Sequence, residues 1–232
     1  MMMWSEPRRF EVDVDAGLMQ GSGTRYQKRL QDLNGLYADG AAFEARLASG
    51  GQEVVYDVTD FRPSSSAGDL ITGVTRMSPG KIGDEFYLTR GHVHAILDRP
   101  ELYYGLKGKG LMLMESPDGE TRIIEVLPNT ACYVAPHWIH RSVNVGDEDF
   151  VMLFCYPADS GQDYGIIERS QGMKLRIVDD GAGGWRSVDR ADRAVAGQAR
   201  HQRDGREPGA IIHRGGAVQS PRRGAVARPV EP

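Results

Sequence analysis

The sequence predicts an all-β protein, a closed or double-sheet antiparallel barrel with short N-terminal helices before it and a disordered C-terminal tail after it. Three observations carry this reading. Nine short strand-like runs lie between Glu53 and Tyr156. Turn chemistry separates them, as in Ser78-Pro79-Gly80, Gly108-Lys109-Gly110, Ser116-Pro117-Asp118-Gly119 and Gly146-Asp147. No long helical period intervenes, and many short strands at near-even spacing are the pattern of a closed or two-sheet β architecture.

Taken in order, residues 1–23 form an arm in which Phe10-Glu11-Val12-Asp13-Val14 is the only alternation, an edge strand or a wrapping segment. Thr24 to Leu33 is rich in helix formers, with Tyr26, Leu30 and Leu33 at helical spacing, and is expected to be a short helix stopped near Asn34-Gly35. A second helix is expected over Ala41 to Leu47. The strands then follow: Glu53 to Val58, Leu70 to Met77, Glu85 to Thr89, Leu102 to Leu106, Leu111 to Met114, Thr121 to Val126, Ala131 to Val134, Ser142 to Val145 and Phe150 to Tyr156. A last strand, Met173 to Val178, completes a domain over residues 24–185. From Arg186 to Pro232 there are ten Arg and five acidic residues among repeated Gly, Pro and Ala. Such a stretch buries too little apolar surface to offset its ordering entropy, so it is expected to be disordered. Its charge of +5 leaves −9 on the rest of the chain.

The 232 residues suffice for one large β domain, and a net charge of −4 gives no basic footprint for nucleic acid. Apolar runs such as Phe150 to Tyr156 are too short to span a bilayer, and the N-terminus carries no signal-peptide core, so a soluble cytoplasmic protein is expected. Cys132 and Cys155 sit in apolar runs without a basic neighbour. They read as buried free thiols rather than a disulfide or a nucleophile.

The chemistry concentrates in two blocks, Thr89-Arg90-Gly91-His92-Val93-His94 and Pro136-His137-Trp138-Ile139-His140-Arg141-Ser142-Val143-Asn144. Residues two apart on a strand share a face, so His92 and His94 can present both imidazoles to one point. If Ala95 to Pro100 turns the chain back, Glu101 returns to the same face, and His140 closes the site from a distant strand. Three His and one carboxylate suit iron(II), manganese, zinc or nickel, with positions left for water or substrate. His137, three residues from His140 in a turn-like stretch, is not expected to be a ligand.

These blocks, together with Thr75-Arg76-Met77-Ser78-Pro79-Gly80, Glu85 to Thr89, Glu101-Leu102-Tyr103, Gly108-Lys109-Gly110 and Tyr156 to Gly165, resemble the cupin superfamily, and within it the cupin-type glucose-6-phosphate isomerases. The likeness runs from about Tyr56 to Val178, more loosely back to Thr24, and does not reach the tail. It departs from that branch at Gln162, where members often carry His. The resemblance implies a double-stranded β-helix (jelly-roll) barrel, a homodimer and one divalent metal per chain, with Fe(2+) foremost and Mn(2+), Zn(2+) or Ni(2+) as substitutes. It implies metal ligation by His92, His94, Glu101 and His140, with Glu101 also the catalytic base, in glycolysis and gluconeogenesis. Tyr103, Tyr156 and Tyr164 are then expected to line a sugar-phosphate pocket, while Thr75, Thr89 and Gly91 donate to the phosphate. The rival readings are an iron-dependent cupin dioxygenase, which uses the same ligand set, and a non-enzymatic sugar- or metal-binding module.

Overall fold

The computed structural model describes residues 6–50 and 52–191. The elements run in this order: β1 (Glu11–Asp13), β2 (Leu18–Gln20), β3 (Thr24–Arg29), a 3-10 turn over Leu30–Leu33, α1 (Gly40–Gly50), β4 (Val54–Phe61) and β5 (Leu70–Met77). Then come β6 (Lys81–Ile82), β7 (Glu85–Phe86), β8 (Glu101–Lys107), β9 (Gly110–Glu115), β10 (Thr121–Val126), β11 (Ala131–Val134), β12 (Ile139–Asn144) and β13 (Phe150–Pro157). Short α2 (Gly165–Arg169), β14 (Leu175–Asp179) and β15 (Trp185–Asp189) follow.

The expected all-β class is what forms. A six-stranded antiparallel sheet has the order β11-β8-β13-β5-β4-β3, and a three-stranded sheet has the order β10-β9-β12. A further sheet, β15-β14-β7-β6, lies beside them. After β7 the chain stays extended and runs along β12, joined to it by the isolated pairs Leu88–Val143 and His92–His140. The sheets share one core, to which the large sheet gives Met77, Tyr103, Met152 and Phe154 and the small one Leu111 to Met114 and Val143. β9 is buried on both faces from Gly110 to Met114, which explains why it reads as a continuous apolar run rather than an alternation. β8 alternates instead: Glu101, Tyr103 and Gly105 point inward, and Leu102 and Tyr104 outward. The turn between β8 and β9 uses Gly108 at φ +74°, a left-handed conformation that favours glycine.

The structure corrects the first expected helix. Thr24 to Arg29 is strand β3, paired with β4 from Thr24–Asp60 to Lys28–Tyr56, and only Leu30–Leu33 turns helically. Helix propensity is a weak prior, and here an open sheet edge captures the segment. Arg25 bonds the buried Asp57 across that edge at 3.2 Å, and Lys28 and Arg29 of β3 are half-buried, Arg29 bonding Gln52 O. The second helix forms as expected, with Asp39 Oδ1 accepting the Ala42 N–H at 2.8 Å near its start and Phe43 stacked on Tyr37.

The N-terminal alternation is strand β1, which makes a hairpin with β2 and folds onto its own chain, packing Phe10, Val12 and Met19 against Val74 and Val151. The stretch assigned to the tail begins inside β15, whose residues pair with β14 through Asp189. The rest of that stretch, residues 192–232, lies outside the described residues. Both cysteines are free, and burial pushes the Cys132 thiol up to about 11, which leaves it unreactive. Among the described residues no helix is long and apolar enough to cross a membrane.

Asn144 at the end of β12 ties three segments together. It is fully buried, donates from Nδ2 to Met77 O (3.0 Å) and Glu148 O (2.9 Å), and accepts the Gly146 N–H at Oδ1 (2.9 Å). Asn144→Ala strands these backbone groups in the core, so it is expected to cost about 2–3 kcal/mol in urea unfolding. A loss below about 0.5 kcal/mol, the range of ordinary surface substitutions, contradicts this role.

Candidate metal centre

The four expected ligands meet. One ligand atom from each of His92, His94, Glu101 and His140 lies within 4.8 Å of the others, and all four residues are buried. His92 and His94 stand on the extended stretch after β7, not in a regular strand, and Glu101 opens β8. The chain turns back between them as the sequence requires. Ala95 and Ile96 donate to Gly161 O and Ser160 O, and Arg99 grips Asp159 through Nε (3.0 Å) and Nη2 (2.7 Å). His140 arrives from β12, where its backbone exchanges hydrogen bonds with that of His92 at 2.9 and 3.1 Å.

The imidazoles are aimed by their outer nitrogens. His94 Nδ1 lies 2.7 Å from Arg99 O and His140 Nδ1 3.1 Å from Trp138 O. A carbonyl can only accept, so each Nδ1 carries the hydrogen and, in the neutral ring, each Nε2 presents a lone pair. Both Nε2 atoms face Glu101 Oε2, at 3.2 Å for His94 and 3.0 Å for His140, with His92 Nε2 at 3.7 Å. Converging lone pairs in a buried pocket require positive charge between them. A divalent cation fits this donor set, and protons are the alternative. The titration tendencies agree. Burial opposes ionisation of Glu101, yet its bonds to His140, His92 and His94 outweigh this and hold the carboxyl well below its ordinary range. Burial also disfavours a charged His94, but the bond to Glu101 prevails and raises it. His92 is held down at about 4 by burial and by His140, and so stays neutral.

A pocket opens on this cluster. Its lining includes all six residues expected to bind substrate: Thr75, Thr89, Gly91, Tyr103, Tyr156 and Tyr164. The Tyr156 ring lies 5.5 Å from that of His94, and the Tyr164 ring 5.4 Å from that of His92. Burial, then the Glu101 charge, keeps the Tyr103 phenol well above its ordinary range, so it remains a proton donor beside the carboxylate. Thr89 Oγ1 accepts the Ser142 N–H at 3.0 Å, which leaves its own hydrogen for another acceptor. Gln162 approaches His92 Nε2 through its Nε2 at 3.4 Å and accepts the Tyr164 hydroxyl at 2.5 Å. Of the basic residues near the motifs, Arg90 lines the pocket and pairs with Glu168 at 2.9 Å, while Lys81 pairs with Asp179 and Lys107 with Asp15. His137 sits exposed in a left-handed turn at φ +73°, outside the cluster.

Tyr26, Tyr56, Arg62 and Ser142 also line the pocket and were not expected there. Tyr26 is misdirected by a helical reading of β3. Tyr56 and Ser142 lie on strands whose faces the alternation does not separate, because those strands are buried on both sides. Arg62 follows β4 in a loop and carries no spacing signal at all.

The glucose-6-phosphate isomerase family model matches residues 27–193. The chain is 59% identical over 184 residues to a glucose-6-phosphate isomerase of Sinorhizobium medicae, covering 79% of this chain and 86% of that protein. It is 42% identical over 179 residues to a glucose-6-phosphate isomerase of Pyrococcus furiosus, covering 77% and 94%. A match of this extent, over the segment that builds the ligand cluster and its pocket, assigns the chain to the glucose-6-phosphate isomerase family, in its cupin-type branch.

Proposed function

We propose that the protein interconverts glucose 6-phosphate and fructose 6-phosphate, as a metal-dependent aldose-ketose isomerase acting in the cytoplasm in glycolysis and gluconeogenesis. The observation that carries this reading is the joining of one buried three-His, one-Glu cluster to a pocket lined by hydroxyl donors and Arg90. Hydroxyl groups at many angles suit a polyol, and a guanidinium suits its phosphate. A divalent metal held by His92, His94, Glu101 and His140, with Fe(2+) the favoured ion, would polarise the substrate carbonyl and stabilise negative charge on its oxygen.

The rest of the chemistry falls to the chain. The reaction moves a hydrogen between C1 and C2. Glu101 is the base that takes the proton from one carbon and returns it to the other, and Tyr103, kept protonated beside it, donates to substrate or carboxylate oxygen. Tyr156 and Tyr164 hold the sugar against the cluster. Thr75, Thr89 and the Gly91 N–H receive the phosphate, whose remote binding energy keeps C1 and C2 in register. Thr75→Ala and Thr89→Ala are therefore expected to raise KM for glucose 6-phosphate about tenfold each, the scale of one lost hydrogen bond to a charged group, with metal content intact. Unchanged KM in both variants removes these residues from the phosphate site.

A coupled assay on glucose, fructose and mannose 6-phosphates and on free glucose and fructose tests the whole reading. Equal rates with and without phosphate contradict the phosphate assignment. Oxygen uptake without sugar interconversion favours the dioxygenase alternative, and neither activity in metal-replete protein leaves a binding module. Solvent exchange of deuterium from substrate C2 supports proton transfer through Glu101 rather than a direct hydride shift. The homodimer belongs to the same proposal: light scattering is expected to give twice the chain mass, and a monomer mass overturns it.

A further inference from the structure

Behind the pocket lies a charge that the site does not use. Arg141 follows His140 on β12, is 5% exposed, and has no carboxylate within ion-pair distance among the described residues. Glu85, the carboxylate whose charge acts on it and which lines the same small cavity, is occupied by Arg176 (2.7 Å) and by the Ala38 N–H (3.0 Å). Arg141 Nε is buried without a hydrogen-bond partner. A buried cation left so is costly unless a counter-charge comes near.

The one bond its guanidinium makes shows where that counter-charge belongs. Arg141 Nη2 donates to Arg90 O at 2.8 Å. The carbonyl of Arg90 and the N–H of Gly91 belong to one planar peptide and point in opposite directions. With the oxygen fixed on Arg141, the Gly91 N–H is turned away from it, and Gly91 lines the pocket. The amides of Thr89, two residues before, and His92, one after, are bonded to Ser142 O and His140 O, whereas the Gly91 N–H has no partner among the described residues. Gly91 also lets the two groups approach: at its φ of +80° a Cβ would stand 3.0 Å from Arg141 Nε and 3.2 Å from Nη2.

We propose that Arg141 is a positioning residue for the substrate phosphate: it anchors the Arg90–Gly91 peptide, presents the Gly91 N–H to the anion, and sets an unpaired positive charge directly behind it. The inference rests on reading the pocket as a sugar-phosphate site and adds what makes it selective for a phosphate. The anion supplies from the pocket side the counter-charge that the core lacks. Thr89, Thr75 and Arg90 complete the cradle.

The test compares Arg141→Gln, which can still bond Arg90 O but has no charge, with Arg141→Lys, which keeps the charge. In metal-loaded Arg141→Gln the inhibition constant of inorganic phosphate and the KM for glucose 6-phosphate are expected to rise about tenfold. kcat should fall less than KM rises, metal content should persist, and Arg141→Lys should recover much of the phosphate affinity. A purely structural role predicts instead joint loss of metal and melting temperature, with no recovery by Lys. Wild-type phosphate affinity in folded Arg141→Gln overturns the proposal. If both variants fail to fold, the wild-type protein loaded with zinc decides: inorganic phosphate should shift the Gly91 amide and Arg141 Nε–H nitrogen-15 resonances, and no movement of either overturns it. Arg141-dependent phosphate binding in a protein without isomerase activity would sink the substrate reading alone. Isomerase activity with phosphate affinity independent of Arg141 would sink only this inference.

Discussion

Glu101→Gln is expected to lower turnover by about 10³-fold, within the span of a lost general base, while the protein stays folded. The substitution keeps size and shape but removes the charge on which the cluster converges. In the wild type Glu101 Oε2 faces the Nε2 atoms of His94 and His140 at 3.2 and 3.0 Å. An amide NH2 in its place can donate to the neutral rings, which the carboxylate can bond only when they carry a second proton, so the metal-free variant is satisfied without that proton. Metal affinity should therefore drop and the melting temperature without metal should hold or rise. The experiment measures kcat and bound metal together, at a metal concentration that saturates the variant. Turnover within about tenfold of wild type at full occupancy would remove Glu101 as the base and leave the hydride route.

His140→Ala is the second large effect. It deletes the ligand that arrives from the far strand and leaves a cavity where a buried ring had stood. Bound metal per chain is expected to fall from near one to a small fraction after dialysis, and activity with it. Added metal should raise the melting temperature of wild type and do little for the variant, because stabilisation by a ligand scales with its affinity for the folded state. His92→Ala should behave alike. Full metal retention in both variants would end the assignment of the site.

The cluster was legible because its logic is local. A His-x-His pair, a turn of six residues and a carboxylate at a strand start specify three ligands within one short segment, and the ion pair of Arg99 with Asp159 realises that turn. The strand limits of β5, β10 and β11 follow equally from alternation and turn residues. What escaped is what depends on partners distant in sequence. Tyr26 sits at helical spacing with Leu30 and Leu33, yet its segment completes a sheet through β4, and this places Tyr26 in the pocket wall. Arg62 is held by the buried Asp60, a pairing that no composition or period announces. β15 was hidden because it is short, carries the charges Arg186 and Asp189, and follows the glycine-rich turn of Gly181, Gly183 and Gly184.

The stretch that bears His92 and His94 meets β12 through single paired residues rather than a continuous ladder. The four ligands thus divide into a local pair and two that meet across this seam. His94 and Glu101 are brought together by their own short turn. The fourth ligand, His140, stands on β12, separated from Glu101 in sequence by the rest of β8 and by β9, β10 and β11. A divalent cation held by all four ligands would therefore join a local pair to a distant strand. Such a cation would strengthen a seam that backbone pairing joins only sparsely, and its release would require that seam to part locally while the two sheets remain whole.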